Sequence, residues 1–311
     1  MEFEFLQWLR SRLPSHPQLH VGPGDDAAVV RLAAGAALVV TSDLLSDGVD
    51  FELGRVSPRR IGHKALAVNL SDLAAMAAQP VTAIVSLLLP RDGAAELARE
   101  LYEGILPLAA AHGISIAGGD TNTWDGKLAI SITAIGETTE RGSLLRSGAK
   151  PGDRILVTGK FGGSILGRHL DVEPRVHEAL WLHAHHELHA GLDCSDGLAH
   201  DLSQICAASG CGAVLNLDKI PIADAARQLA QEKPGQGSAL EHALHDGEDF
   251  ELILAVPASV ATELVGTQPL RSLTGETVLL TDIGEFVKKS GLWSESRDAE
   301  RTVLSPRGYE H

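Results

Sequence analysis

Apolar runs of strand length recur along this chain with helical patterns set between them, and that alternation restricts the fold more than any other feature. The runs are "ALVVTSD", "VTAIVSLLL", "GISIAGG", "LAISITAIGE", "DRILVTG", "FELILAV" and "LLTDIGE". Helical periodicity fills residues 57–78, 94–112, 162–170, 174–189, 197–208 and 222–231. Strands and helices in this order predict a mixed α/β fold of the α+β type. The stretch "TERGSLLRSGAKPGD" at 139–153 concentrates Gly, Ser, Pro and charge, which marks a boundary between domains at 1–138 and 139–311. A length of 311 residues gives each enough chain to bury a core.

Composition excludes several classes of partner. Hydrophobic residues make up 44%, a globular value, while the net charge is −15 and no long Lys/Arg run occurs. Such a surface repels nucleic acid and anionic membrane. An anionic small molecule would need metal ions or local positive groups to bind. The three cysteines are odd in number and form no C-x-x-C, so neither a disulfide framework nor a cysteine zinc site is supported. The start, "MEFEFLQWLRSRL", reads as an amphipathic helix rather than a signal peptide. Apolar runs stop well short of the roughly 20 residues that span a bilayer. These features predict a soluble, cytoplasmic protein.

Carboxylates then recur with one grammar. Asp25 and Asp26 sit in "GPGDDAAVV", Asp43 closes a strand in "VVTSDLL", and Asp72 lies inside the helix that begins near residue 57. Asp120 ends a strand in "AGGDTN", and "LDCSDGLAHDL" holds Asp193, Asp196 and Asp201. "DGEDFEL" carries Asp246, Glu248 and Asp249. Most follow an apolar run or a glycine pair, which places them at strand ends and tight turns, where α/β folds bind ligands. A single aspartate in such a place is often a cap or turn residue. Repeated five times, the pattern points to a divalent cation, because neighbouring carboxylates raise one another's cost of ionising. Mg²⁺ suits it, taking carboxylate and water oxygens beside nucleotide phosphates.

Other motifs decide less. "VTGKFGGSILG" fits neither G-x-x-x-x-G-K-[ST] nor G-x-G-x-x-G, although its glycines could present N–H groups to an anion at a helix start. "HEALWLHAHHELH" holds five of the 14 histidines but no H-E-x-x-H, and a solvated helix face accounts for it. No G-x-S-x-G or other nucleophile motif is present.

Taken in order, "GDDAAVV", "TSDLLSDGV", "KALAVNLSDLAAMAAQP", "GGDT", "RSGAKPGD", "DCSDGLAHDL", "DGEDFEL" and "GYEH" resemble the thiamine-monophosphate kinase family from about residue 20 onward. That family is grouped with aminoimidazole ribonucleotide synthetase and selenophosphate synthetase. The resemblance implies an N-terminal α/β domain that binds ATP and Mg²⁺ and pairs its sheet in a homodimer, followed by a C-terminal α/β domain. It implies phosphorylation of thiamine monophosphate to thiamine diphosphate by direct transfer from ATP with several Mg²⁺ ions. Matched by motif, Asp26, Thr41, Ser42, Asp43, Asp72, Asp120, Asp193 and Asp196 are the implied metal residues. Gly119, Asp120, Arg146 and Ser195 are implied nucleotide contacts, and Tyr102 an aromatic that meets the base. Glu248 and Tyr309 are implied contacts of thiamine monophosphate. One position departs: Asp50 in "DGVDF" stands where the family has a substrate-contacting histidine. It can face the cationic thiamine rings, join a metal, or point to solvent. The segment "HLDVEPRV" is a compressed version of the family's connection between two C-terminal helices. Two other readings stay open, an ATP-dependent synthetase of the same group and a nucleotide- or metal-binding protein without turnover.

Overall fold

The computed structural model describes residues 8–9, 11–13, 16–21, 29–295 and 301–308. The expected N-terminal amphipathic helix lies largely outside them. The chain divides into two compact units, the first built from Met1–Leu73, Ala78–Gly142 and Leu170–Val172, the second from Ala74–Ala77, Ser143–His169 and Glu173–His311. Both are mixed α/β, as the alternation predicts. No helix among the described residues is long and apolar enough to cross a membrane.

In the first unit, β1 (Leu19–Val21) and β2 (Val29–Val30) pair antiparallel. A four-stranded sheet follows from β3 (Leu38–Ser46), β4 (Gln79–Pro90), β5 (Ser115–Trp124) and β6 (Ala129–Glu137), ordered β3-β6-β4-β5. Helix α1 (Pro58–Ala75) precedes β4, and α2 (Ala94–Ala111) links β4 to β5. Pro58 suits the first turn of α1, because its missing N–H would have no partner there. Only small and apolar residues fill most of α1, and the helix is buried on nearly every side. Glycine lets it approach α2 closely. A Cβ on Gly62 would fall 2.0 Å from the Leu101 carbonyl oxygen, and one on Gly104 would fall 1.8 Å from that of Arg59.

The second unit contains β7 (Arg154–Thr158), β8 (Ala190–Asp193), β9 (Gly212–Asn216), β10 (Leu252–Val256), β11 (Leu280–Val287), β12 (Gly291–Glu295) and β13 (Arg301–Val303). Their order is β13-β12-β9-β11-β7-β10-β8, antiparallel except for the β12–β9 pair. Its helices are α3 (Val176–His185), α4 (Leu198–Ser209), α5 (Asp224–Glu232), α6 (Ala239–His245) and α7 (Ala258–Thr267). Ile155, Val157, Leu192, Leu202, Ile253 and Phe286 belong to its core. One expected helix is not regular. Residues 162–170 form two 3₁₀ turns, Ser164–Leu166 and Arg168–Leu170, because Gly163 and Gly167 interrupt them at φ 72° and 133°.

Candidate active site

Strand alternation sorts the first unit's candidates. Along β3 the odd residues turn inward and the even residues outward, so Thr41 and Asp43 share one face while Ser42 takes the other. Asp72 arrives from α1, and the Thr41 hydroxyl donates to its Oδ2. Asp43 Oδ2 is buried with no hydrogen-bond partner. Burial, then the charges of Asp72 and Asp50, push the Asp43 carboxyl up to about 6. A buried carboxylate oxygen without a donor, beside two further carboxylates, is an arrangement a hard divalent cation would satisfy. Thr41, Asp43 and Asp72 fit Mg²⁺ on this ground. The Ser42 hydroxyl instead lies 2.9 Å from the Thr133 hydroxyl on the outer face. Three consecutive residues were read as one metal group, and the period of two in a strand separates the middle side chain from the others.

Asp50 is used locally. Its Oδ2 accepts the Ser46 N–H at 2.7 Å, and its carbonyl oxygen accepts from buried Lys64 at 2.8 Å. The carboxylate closes its own loop while adding negative charge near Asp43. Gly119 and Asp120 are exposed on β5, at the opposite edge of the sheet from β3. Gly119 has no space for a side chain, since a Cβ would come 1.8 Å from the Val85 carbonyl oxygen. Asp120 pairs in register with Ser86 on the outer face, so one chain does not gather it with Asp43 and Asp72. Tyr102 is only 2% exposed, facing inward from α2. Its ring offers no free face to a base, and the expected base contact is replaced by a packing role.

The second unit brings together what the sequence separates. Asp193 ends β8 and is buried, Ser195 and Asp196 follow half-buried, and Gly197 leads into α4. The third aspartate caps the helix backwards: Asp201 Oδ2 accepts the N–H groups of Asp196 at 2.9 Å and Gly197 at 3.1 Å. That assigns Asp201 the capping role and separates it from Asp193 and Asp196 in function. His200, which the motif reading did not single out, has a ligating atom within 4.8 Å of those of Asp196 and Asp201. Its signal was present only as helical spacing beside Asp196. The Ser195 carbonyl oxygen accepts the Glu248 N–H at 2.6 Å, which seats the half-buried Glu248 against this loop. Arg146 is exposed on the loop before Gly148. The glycines expected to cradle an anion are already occupied, with Asp249 accepting from Gly162 N–H and Asp246 from Gly163 N–H. Asp26 and Tyr309 lie outside the described residues.

Comparison with known proteins agrees with this architecture. The AIR synthase related protein family matches in two parts, its N-terminal domain over residues 24–138 and its C-terminal domain over 150–290. Fold and site therefore define a two-domain protein of the AIR synthase related class. A thiamine-monophosphate kinase of Rhodopirellula baltica is 44% identical over 318 residues, covering 100% of this chain and 97% of the relative. The crystal structure of thiamine-monophosphate kinase from Stenotrophomonas maltophilia K279a superposes with a TM-score of 0.80 at 32% identity, covering 97% of this chain and 98% of that one. AaThiL complexed with AMPPCP and TMP matches at a TM-score of 0.76 and 25% identity, covering 100% of this chain and 96% of that one. The chain belongs to the thiamine-monophosphate kinase family.

Proposed function

We propose that this protein transfers the γ-phosphoryl group of ATP to the phosphate of thiamine monophosphate, giving thiamine diphosphate and ADP in the cytoplasm. A phosphate oxygen of thiamine monophosphate attacks the γ-phosphorus, and the bond from that phosphorus to the β-phosphate oxygen breaks. The acceptor is itself an oxygen nucleophile, so no residue needs to carry the phosphoryl group. Asp43 and Asp72 with Thr41 would hold Mg²⁺ in the first unit, and Asp193 and Asp196 in the second. The ions supply neutralisation of phosphate charge. Gly119, Asp120, Arg146 and Ser195 would orient the nucleotide, and Glu248 the thiamine monophosphate, so that positioning provides the rest of the rate. The observation that carries this reading is the partnerless Asp43 oxygen beside Asp72, in a chain related over its full length to thiamine-monophosphate kinases. Incubation with ATP, Mg²⁺ and thiamine monophosphate should yield thiamine diphosphate and ADP in equal amounts on chromatography. Excess EDTA should stop the reaction and added Mg²⁺ restore it. ADP without thiamine diphosphate would indicate a synthetase acting elsewhere, and nucleotide binding without turnover a non-catalytic role.

The outer face of the first unit's sheet supports a homodimer. Leu38, Val40, Leu44 and Ile84 are 54%, 53%, 68% and 37% exposed there, an apolar stripe that water does not favour. The double substitution Val40→Glu and Leu44→Glu should therefore shift the sedimenting species from dimer to monomer. A dimer that survives both charges would place the interface on another surface.

A further inference from the structure

Two of the four non-glycine residues with positive φ among the described residues lie two positions apart, Glu248 at 62° and Phe250 at 52°. Residues with a Cβ adopt this region sparingly, and such strain persists where the surroundings over-determine it. Asp249 between them supplies the restraint. Its side chain is 0% exposed, and its carboxylate accepts the Gly162 N–H at 3.0 and 2.8 Å and Arg168 Nη2 at 2.6 Å. Arg168 Nη2 also donates to the Asp249 carbonyl oxygen at 3.1 Å, and Nη1 to that of Lys160 at 2.6 Å. The neighbouring ties run between the same two segments: Gly163 N–H to Asp246 Oδ2 at 2.9 Å, and the Ser164 hydroxyl to the Gly247 carbonyl oxygen at 2.6 Å. Gly162 is part of the fit, since a Cβ there would lie 2.6 Å from Ala243 N. One guanidinium thus staples the loop at 160–163 to the segment that carries Glu248.

We propose that Arg168 and Asp249 are a positioning pair for the acceptor substrate, acting through Glu248 by holding its backbone in the left-handed conformation from which its side chain meets thiamine monophosphate. This rests on the kinase reading above. Burial holds the Asp249 carboxyl up at about 7 even though Arg168 and the Gly162 N–H pull it down, so both partners are needed to favour its charged form. Arginine is required for its fork. A lysine presents one compact charge and cannot reach Asp249 Oδ1, the Asp249 carbonyl and the Lys160 carbonyl together.

The test is a double-mutant cycle read in KM and kcat for both substrates. Arg168→Lys should raise KM for thiamine monophosphate at least about tenfold, the scale of one lost charge-assisted contact. KM for ATP should stay within about twofold, the size of change expected of a site not involved. Glu248→Gln should raise the same KM, and the double variant should add little to it. Ser164→Ala, which removes the tie to Gly247 without altering charge, should raise that KM about threefold, within the range for one neutral hydrogen bond. This second variant carries the test if Arg168→Lys does not fold. Additive effects of Arg168→Lys and Glu248→Gln, or parallel rises in KM for both substrates, would overturn the positioning role while leaving the kinase intact. A wild-type protein that makes no thiamine diphosphate would remove the kinase reading and this proposal with it.

Discussion

Replacing Asp72 with Asn should lower kcat for phosphoryl transfer by at least about 10²-fold, the loss seen when one stabilising group leaves a preorganised site. The same change should leave the metal-free protein as stable as before or more so. Asp72 is one of the charges that push the Asp43 carboxyl up to about 6, and Asn removes that repulsion while its side-chain oxygen can still accept from Thr41. Activity and stability therefore move in opposite directions, which a packing residue would not do. Thermal melts with and without Mg²⁺ give a second reading. Wild type should gain stability on adding the ion, by mass action on a site present only in the folded state, and Asp72→Asn should gain less. Undiminished kcat in Asp72→Asn would remove this residue from the metal site.

Arg175→Met should cost about 3–5 kcal/mol of stability, the penalty for leaving a buried carboxylate without its partner. For a domain of this size that corresponds to a Tm loss on the order of 10 °C. Arg175 makes two parallel bonds to Glu251, Nε to Oε2 at 2.8 Å and Nη2 to Oε1 at 2.7 Å. It also lies 3.5 Å from Glu178, and the side chains of Glu251 and Glu178 are only 5% and 4% exposed. Burial raises the Glu178 carboxyl above its ordinary value while Arg175 pulls it down. Without Arg175 it moves further up. A carboxyl with a raised folded value favours the folded state most below its unfolded pKa and loses that contribution as pH rises through the folded value. The stability deficit of Arg175→Met should therefore be larger at pH 8 than at pH 5. Adding Glu251→Leu should recover part of it, because an apolar pair replaces the stranded charge. Equal melting temperatures for wild type and Arg175→Met would show that Arg175 contributes no net stability to the fold.

The long strands β3 and β5 were legible because their apolar runs are local, and Asp72 fell within the helix expected after residue 57. Asp43 and Asp120 were expected to close their strands, yet backbone pairing carries β3 on to Ser46 and β5 on to Trp124, past the apolar runs. Short elements were not legible. β8 and β9 have four and five residues and are buried on nearly all sides, so they show no alternation, while α6 has seven residues and too few turns to show a period. The 3₁₀ turns at Ser164–Leu166 and Arg168–Leu170 were read as a helix because apolar spacing does not register the φ that Gly163 and Gly167 adopt.

By itself the chain determined which residue types follow which apolar runs, and so the acidic, cation-seeking chemistry and the family. Tertiary structure decided which of those carboxylates is free to use it. Asp201 turns back to cap Gly197, Asp50 closes on Ser46, and Asp249 is spent on Gly162 and Arg168, while Asp43 keeps an oxygen with no donor. Asp249 and Arg168 are 81 residues apart in sequence, and Thr41 and Asp72 are 31 apart. A motif states what a side chain can bind. Its donors arrive from segments the motif does not contain, so whether a carboxylate is satisfied is settled only when the chain has packed.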